Sequence, residues 1–121
     1  MVETNTQTDK CIDYIEFNVT DIETSKTFYG AAFGWQFTDY GPEYCEFTDG
    51  RMKGGFALAE IANVGGPLIV LYGDDLGEMQ NRVIAAGGKI SKSVFGFPGG
   101  ERFQFIDPDG YELAVWCANG S

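Results

Sequence analysis

Hydrophobic and polar residues alternate over residues 12–19, IDYIEFNV, near the start of the chain. Ile15, Phe17 and Val19 fall on one side of an extended chain, which is the two-residue period of a strand with one buried face. The other side carries Tyr14, Glu16 and Asn18. The pattern therefore predicts a first strand over residues 12–19 with one apolar and one polar face.

The pattern then changes to the spacing of an amphipathic helix. Thr20 and Glu23 are three residues apart, as in a capping box, which predicts that Thr20 caps the helix. Apolar residues recur at helical spacing from Ile22 onwards, and Gly34 can end the helix in a left-handed conformation. We predict a helix over residues 22–33.

Three short β-prone runs follow, separated by the turn signals Gly41-Pro42 and Asp49-Gly50. They predict an antiparallel meander with strands near residues 35–40, 44–48 and 54–60. The glycine- and proline-containing stretch 62–67 is typical of a linker.

The same order of elements recurs in the second half of the chain. Residues 68–72 predict a strand, and Asp74-Asp75 stands where the N-cap of a helix over residues 76–86 belongs. Gly87-Gly88 ends this helix. Further strands are predicted near residues 89–93, 102–106 and 112–117, with 95–100 as a glycine-rich loop and candidate lid and 107–110 as a tight turn.

Matched spacing supports a duplication. Asp21 and Gly34, which bracket the first helix, are as far apart in sequence as Asp75 and Gly88, which bracket the second. The predicted fold is α+β, with two βαβββ modules over residues 11–61 and 68–118 forming a single domain. Residues 1–10 are expected to be a disordered lead-in.

Composition narrows the classes of function. The formal net charge is −10, which disfavours nucleic acid and anionic membrane surfaces as partners. The chain contains no histidine, so no imidazole can bind a metal ion or shuttle a proton. Three cysteines without a CxxC pair, together with an N-terminus that has no apolar signal segment, predict a cytoplasmic protein whose cysteines are buried or half-buried.

Two segments resemble the signatures of a known superfamily. Residues 19–29, VTDIETSKTFY, followed by Phe33-Gly34-Trp35, resemble the first-half signature of the vicinal oxygen chelate superfamily. Residues 85–88, AAGG, and 105–110, FIDPDG, are similar to its second-half signature. The superfamily includes glyoxalase I, extradiol dioxygenases and bleomycin-resistance proteins. The resemblance implies a curved, mostly antiparallel sheet with helices on its convex side, a ligand cleft on its concave side, and a homodimer.

The resemblance also implies where a divalent metal would bind. The family's four ligand positions, occupied by His or Glu in active members, correspond here to Tyr14, Ala59 or Glu60, Leu68 and Ala114. Because leucine and alanine offer no electron pair, we predict no metal and no cofactor. An oxygen-only cage would instead have to gather Glu16, Glu46, Glu60 and Glu112.

The prediction for function is binding of a small organic molecule, aromatic or cationic, in the cleft. The candidate ligand-binding residues are Tyr14, Glu16, Asn18, Trp35, Tyr44, Glu46, Arg102, Glu112 and Trp116. The alternative is an enzyme of lyase or isomerase type, with Glu16 or Glu112 as a base of raised pKa and Arg102 as an anion clamp. A third reading is an association or regulatory role with no ligand, in which Phe95 and Phe97 fill the cleft.

Overall fold

The computed structural model describes residues 7–118 of the chain. The chain divides into two compact units, Met1–Asn63 and Val64–Ser121, and the boundary falls within the predicted linker. Of the predicted lead-in, residues 1–6 lie outside the described part, whereas residues 7–10 are exposed. Within residues 7–118 neither helix is long and apolar enough to cross a membrane.

The first unit is one four-stranded sheet with one helix. Its elements are β1 (Tyr14–Val19), α1 (Ile22–Phe33), β2 (Gln36–Asp39), β3 (Tyr44–Thr48) and β4 (Lys53–Leu58). The strand order is β1-β4-β3-β2, in which β1 and β4 are parallel and the other two pairings are antiparallel. The helix has the predicted bounds, and the predicted meander is confirmed.

The cap of α1 differs from the prediction. Asp21, not Thr20, is the N-cap: its backbone is extended, and its carboxylate accepts a hydrogen bond from the Thr24 amide at 3.2 Å. A carboxylate at this position also interacts favourably with the positive end of the helix dipole. Gly34 ends the helix at φ 73°, in the left-handed conformation expected of it.

Aromatic rings fill the space between α1 and its sheet. Trp35 is stacked between Tyr29 and Phe47, with ring centroids 4.5 Å away on each side. Phe17 and Phe56 complete this core, and the Phe56 side chain is fully buried. The core therefore lies on the face of the sheet that carries the apolar residues of β1.

The second unit repeats the architecture. Its elements are β5 (Ile69–Tyr72), α2 (Leu76–Ala85), β6 (Lys89–Phe97), β7 (Gly100–Ile106) and β8 (Glu112–Ala118). The strand order β5-β8-β7-β6 has one parallel and two antiparallel pairings, as in the first unit. The predicted α+β class with two βαβββ modules is thus confirmed.

The predicted glycine-rich loop over residues 95–100 is wrong. Phe95 pairs with Arg102 and Phe97 with Gly100, so β6 and β7 form a hairpin in which only Pro98-Gly99 connects the strands. A β-carbon at Gly100 would overlap the Cys117 carbonyl oxygen of the neighbouring strand. Glycine at position 100 permits close approach of two strands rather than loop motion, which removes the basis for a lid.

Candidate functional site

Each sheet packs one face against its helix and turns the other face, here called the helix-distal face, away from it. In the first unit this face carries Glu16 of β1 and Glu46 of β3, which lie in register on either side of Gly55 of β4. One pair further along, Asn18 and Tyr44 flank Ala57 in the same way. At these two positions β4 presents only the small residues Gly55 and Ala57, so longer side chains from both neighbouring strands can meet above them.

Four side chains use this space and form the tyrosine–glutamate cluster, Tyr14, Glu16, Tyr44 and Glu46. The Tyr14 and Tyr44 hydroxyl oxygens are 2.7 Å apart. Tyr44 donates its proton to Glu16 Oε1 at 2.9 Å, and Tyr14 lies 3.5 Å from Glu46 Oε2. A β-carbon at Gly55 would overlap the Tyr44 hydroxyl, so the absence of a side chain there is what allows the contact.

The pKa values of both tyrosines of the cluster are raised. Burial raises the pKa of Tyr14, and burial together with the hydrogen bonds to Tyr14 and Glu16 raises the pKa of Tyr44 well above its usual value. The hydroxyls are therefore hydrogen-bond donors at neutral pH rather than bases. Acceptor capacity on this face resides in the carboxylates of Glu16 and Glu46.

The helix-distal face of the second unit has a different character. Its aromatic–arginine cluster consists of Tyr72, Phe95, Phe97, Arg102 and Trp116. Strand register places Trp116 of β8 between Tyr72 of β5 and Arg102 of β7. The Tyr72 and Trp116 rings meet edge to face with centroids 5.1 Å apart, and Phe97 lies 6.3 Å from Trp116.

The Arg102 guanidinium is held by aromatic rings rather than by carboxylates. Its Cζ atom lies 5.3 Å from the centroid of Phe95 and 5.9 Å from that of Phe97. Its Nε atom is buried and has no hydrogen-bond partner. Arginine stacked on rings keeps the edge of its planar fork available for an acceptor group.

Glu112 is a fixed anion on the same face. Its Oε2 accepts hydrogen bonds from Ser91 Oγ at 2.7 Å and from Gln104 Nε2 at 2.9 Å. These bonds lower the pKa of Glu112. The sequence-based hypothesis of a base with a raised pKa does not hold for this residue, because hydrogen bonds to the charged form favour ionisation.

Most of the predicted site residues lie on the two helix-distal faces, but Trp35 does not. It is 9% exposed and belongs to the stack between α1 and the first sheet. Its predicted place beside the other aromatic candidates is wrong, because it immediately follows Gly34 and packs back onto α1. On the helix-distal faces are Tyr14, Glu16, Asn18, Tyr44 and Glu46 in the first unit, and Arg102, Glu112 and Trp116 in the second.

Sequence reasoning missed two features that organise these faces. Gly55 was not singled out, although it creates the space for the tyrosine contact. Tyr72 was not proposed, although the alternation within β5 puts it on the same face as Val70. That alternation was the available signal for Tyr72, whereas the role of Gly55 depends on strand pairing that a single sequence does not display.

The positions at which the family holds a metal ion do not offer a fitting donor set. The Tyr14 hydroxyl is hydrogen-bonded to Tyr44, Leu68 precedes β5, and Ala114 is a fully buried apolar residue. Between residues 7 and 118 no three His, Cys, Asp or Glu side chains are grouped so that they could hold a metal ion. Within the first unit, Glu60 therefore does not join Glu16 and Glu46 in a cage.

Comparison with known proteins points to one family. A family model for the Glyoxalase/Bleomycin resistance protein/Dioxygenase superfamily matches residues 11–115. The putative glyoxylase CFP32 of Mycobacterium bovis is 29% identical over 122 residues, covering 88% of this chain and 45% of that protein. The chain thus spans about half the length of the curated relatives it matches.

Solved structures of low sequence identity share the fold. A glyoxalase-related enzyme from Fulvimarina pelagi has a TM-score of 0.78 at 23% identity, covering 89% of this chain and 88% of that one. A lactoylglutathione lyase from Agrobacterium tumefaciens has a TM-score of 0.70 at 19% identity, covering 92% and 96%. At these identities the likeness establishes architecture, and a shared fold does not fix a shared reaction.

Proposed function

The chain belongs to the glyoxalase/bleomycin resistance protein/dioxygenase superfamily, and from the chemistry of its two sheet faces we propose that it binds a small organic molecule without a metal ion. The proposal includes a cytoplasmic homodimer as the working form. The helix-distal face of each unit, taken by itself, is a candidate binding surface. The apolar residues at two of the family's ligand positions, Leu68 and Ala114, support the metal-independent part of the proposal.

The aromatic–arginine cluster is the observation that carries the proposal. Tyr72 is 49% exposed and its neighbour Val70 is 43% exposed, although both stand on a sheet face beside the half-buried ring of Trp116. Clustered, accessible rings are uncommon on a surface that has only solvent to meet. Rigid aromatic walls with a few polar groups are typical of small-molecule sites.

An enzyme using acid–base chemistry is the second candidate. The hydrogen bonds that link Tyr14 to Tyr44 and Tyr44 to Glu16 favour it, since they orient a carboxylate that could act as a base. The lowered pKa of Glu112 argues against that residue as the base. Binding therefore has the stronger support.

The proposal is tested by a thermal-shift screen of small aromatic compounds, followed by calorimetry on the compounds that stabilise the protein. A compound at one hundred times its dissociation constant adds about 2.7 kcal/mol to the free energy of unfolding. We expect Tyr72→Ala to weaken binding by about fivefold or more. Tyr40→Ala is the matched control, because Tyr40 is 60% exposed and lies outside both clusters.

Two outcomes would contradict the proposal. One is a broad aromatic screen in which no compound raises the melting temperature, and the other is equal affinity in the Tyr72 and Tyr40 variants. Chelation tests the metal-independent part: binding should be unchanged after dialysis against EDTA. About one zinc, nickel, iron or manganese ion per chain, with binding lost on its removal, would replace that part by a metal-dependent one.

A further inference from the structure

Arg102 is an unpaired cation in a strongly acidic protein. The chain has 18 acidic and 8 basic residues. Two of its other cations form ion pairs, Lys26 with Asp39 at 3.0 Å and Arg82 with Glu78 at 3.8 Å. Arg102 pairs with no carboxylate of residues 7–118, and no hydrogen bond satisfies its buried Nε. A buried donor without a partner is costly, and a side chain kept in such a place despite that cost is a candidate for a role other than stability.

The surroundings of Arg102 hold its side chain in position for an acceptor group. Phe95 and Phe97 lie on the guanidinium at 5.3 and 5.9 Å, which restricts its rotation. A second cation shares the same ring, since Lys92 Nζ lies 5.8 Å from the Phe95 centroid. Glu112 on the same face offsets part of the charge of Lys92, so Arg102 supplies most of the local positive spot to which an anion is attracted despite the negative charge of the whole chain.

An apolar surface adjoins this positive spot. Trp116 is in register with Arg102, and Tyr72 continues the row on the far side of Trp116. Because the Trp116 and Tyr72 rings are nearly perpendicular, a planar ring that stacks on Trp116 would meet Tyr72 with its edge, and a substituent on its opposite edge would lie near the guanidinium. Arginine binds carboxylates through two parallel hydrogen bonds, which the planar shape of both groups permits.

We propose that the aromatic–arginine cluster selects planar aromatic carboxylates, with the carboxylate on Arg102 and the ring stacked on Trp116 beside Tyr72. This inference rests on the proposed binding function and names the chemical class of its ligand. Of the two alternatives that the sequence predicts, an aromatic or a cationic molecule, it favours the aromatic one and adds a negative charge. Three carboxylates were expected to meet a cation. Glu16 and Glu112 already accept hydrogen bonds from Tyr44 and from Ser91 and Gln104, respectively, and Glu46 lies in the other unit, 3.5 Å from the Tyr14 hydroxyl.

Three probes of one shape and different charge test the inference: 2-naphthoate, 2-naphthamide and 2-naphthylmethylammonium. Their dissociation constants are measured by calorimetry on the full chain at one ionic strength. We expect naphthoate to bind about tenfold tighter than naphthamide, a difference of about 1.4 kcal/mol, and the ammonium compound to bind most weakly. Arg102→Gln should reduce naphthoate affinity about tenfold and leave naphthamide affinity unchanged.

Two further variants serve as controls. Arg82→Gln removes an equal charge from α2, outside the cluster, and should leave all three affinities as in the wild type. Arg102→Lys keeps the charge without the planar fork and should retain only part of the preference for naphthoate. If Arg102→Gln does not fold, the Arg102→Lys variant and the ratio of naphthoate to naphthamide affinity in the wild type still test whether Arg102 selects the carboxylate.

The outcomes separate this inference from the proposed function. Equal binding of naphthoate and naphthamide, unaffected by Arg102→Gln, would overturn the selectivity and leave the binding function standing. Tightest binding of the ammonium compound would overturn it in favour of a cationic ligand. If none of the three probes binds and no compound in the aromatic screen raises the melting temperature, both the proposed binding function and this inference are overturned.

Discussion

Two adjacent glycines of β4 are expected to respond very differently to the same substitution. Gly54 and Gly55 are both buried, but they face opposite sides of the first sheet. A β-carbon at Gly54 would overlap the backbone carbonyl oxygen of Ile15 and the ring of Phe47. A β-carbon at Gly55 would overlap the Tyr44 hydroxyl and lie 2.8 Å from that of Tyr14.

The size of each effect follows from what has to move. At Gly54 the obstacle includes backbone of the paired strand β1, so alanine forces the two strands apart. Overpacking of this kind costs about 1–3 kcal/mol, occasionally more. Alanine recovers about 0.5–1 kcal/mol through the smaller entropy of its unfolded chain. Because backbone cannot rotate away, we expect an overpacking cost near the upper end of that range. After the entropic gain is subtracted, Gly54→Ala should lower the free energy of unfolding by about 2 kcal/mol or more.

At Gly55 the obstacles are the far ends of two side chains that can rotate away. What is lost is two hydrogen bonds, the one that Tyr44 accepts from Tyr14 and the one that it donates to Glu16, each about 0.5–1.5 kcal/mol and at the lower end where solvent has access. The smaller entropy of the unfolded alanine chain offsets part of this loss, so Gly55→Ala should lower the free energy of unfolding by about 1 kcal/mol or less. The first substitution strains the fold, whereas the second dismantles the tyrosine–glutamate cluster.

Urea unfolding of both variants measures the change in the free energy of unfolding. Alkaline titration of tyrosinate absorbance measures whether the tyrosine–glutamate cluster is lost. Gly55→Ala should bring the ionisation of Tyr44 to lower pH, because it removes the burial and the hydrogen bonds to Tyr14 and Glu16 that raise the pKa of that residue. The pKa of Tyr14 should fall less, because burial raises it whereas the hydrogen bond to Tyr44 lowers it. Gly96→Ala is the control, since the nearest atom to its β-carbon would be 3.9 Å away. Equal losses at positions 54 and 55, or an unchanged tyrosine titration, would refute this reasoning.

Three further predictions concern single side chains. Asp107 accepts hydrogen bonds from two backbone amides of its turn; Asp107→Ala should lose about 1–3 kcal/mol of stability in urea and Asp107→Asn less, and equal losses would disprove the role of the acceptor oxygen. The pKa of Glu112 is lowered by its hydrogen bonds, so its contribution to stability is complete above the ordinary glutamate pKa of about 4.3 and is lost as pH falls through the lowered folded-state value. Glu112→Gln should therefore flatten the acid side of the stability–pH curve, and a curve parallel to that of the wild type would contradict this. Burial raises the pKa of the Cys45 thiol to about 11, so a thiol reagent at neutral pH should modify exposed Cys11 first and Cys45 only after unfolding, as mass spectrometry of the labelled peptides would show.

The order of elements was predictable because it depends on local signals. Alternation in β1, apolar spacing in α1 and the turn residues between the strands are properties of short windows, and the predicted bounds of α1 agree with the structure. Glycine was harder to interpret. Gly100 and Gly99 are adjacent in sequence, yet one permits two strands to touch and the other turns the chain at φ 108°. Local composition does not distinguish these uses.

The candidate site was predictable only for residues within strands, where alternation fixes the face on which a side chain lies. Alternation places Glu16 and Tyr14 on one face of β1, and the structure agrees. Trp35 lies just before β2, where no alternation fixes its direction, and it packs into the core. Cys11 was expected to be at least half-buried, but it lies before β1 and is exposed. Neither position is held in a strand, so neither direction was encoded in a repeating pattern.

The contrast between the two faces originates on one strand of each sheet. Because the strand orders match, β4 and β8 occupy equivalent places next to the parallel edge strand. The helix-distal face of β4 carries Gly55 and Ala57, so side chains of β1 and β3 reach across it and join in hydrogen bonds. The same face of β8 carries Ala114 and Trp116, so a large ring occupies the centre and its neighbours pack against it. With the backbone pairing unchanged, the small residues of β4 leave room for polar side chains of its neighbours to meet, whereas Trp116 of β8 fills that room with a ring against which Tyr72 packs.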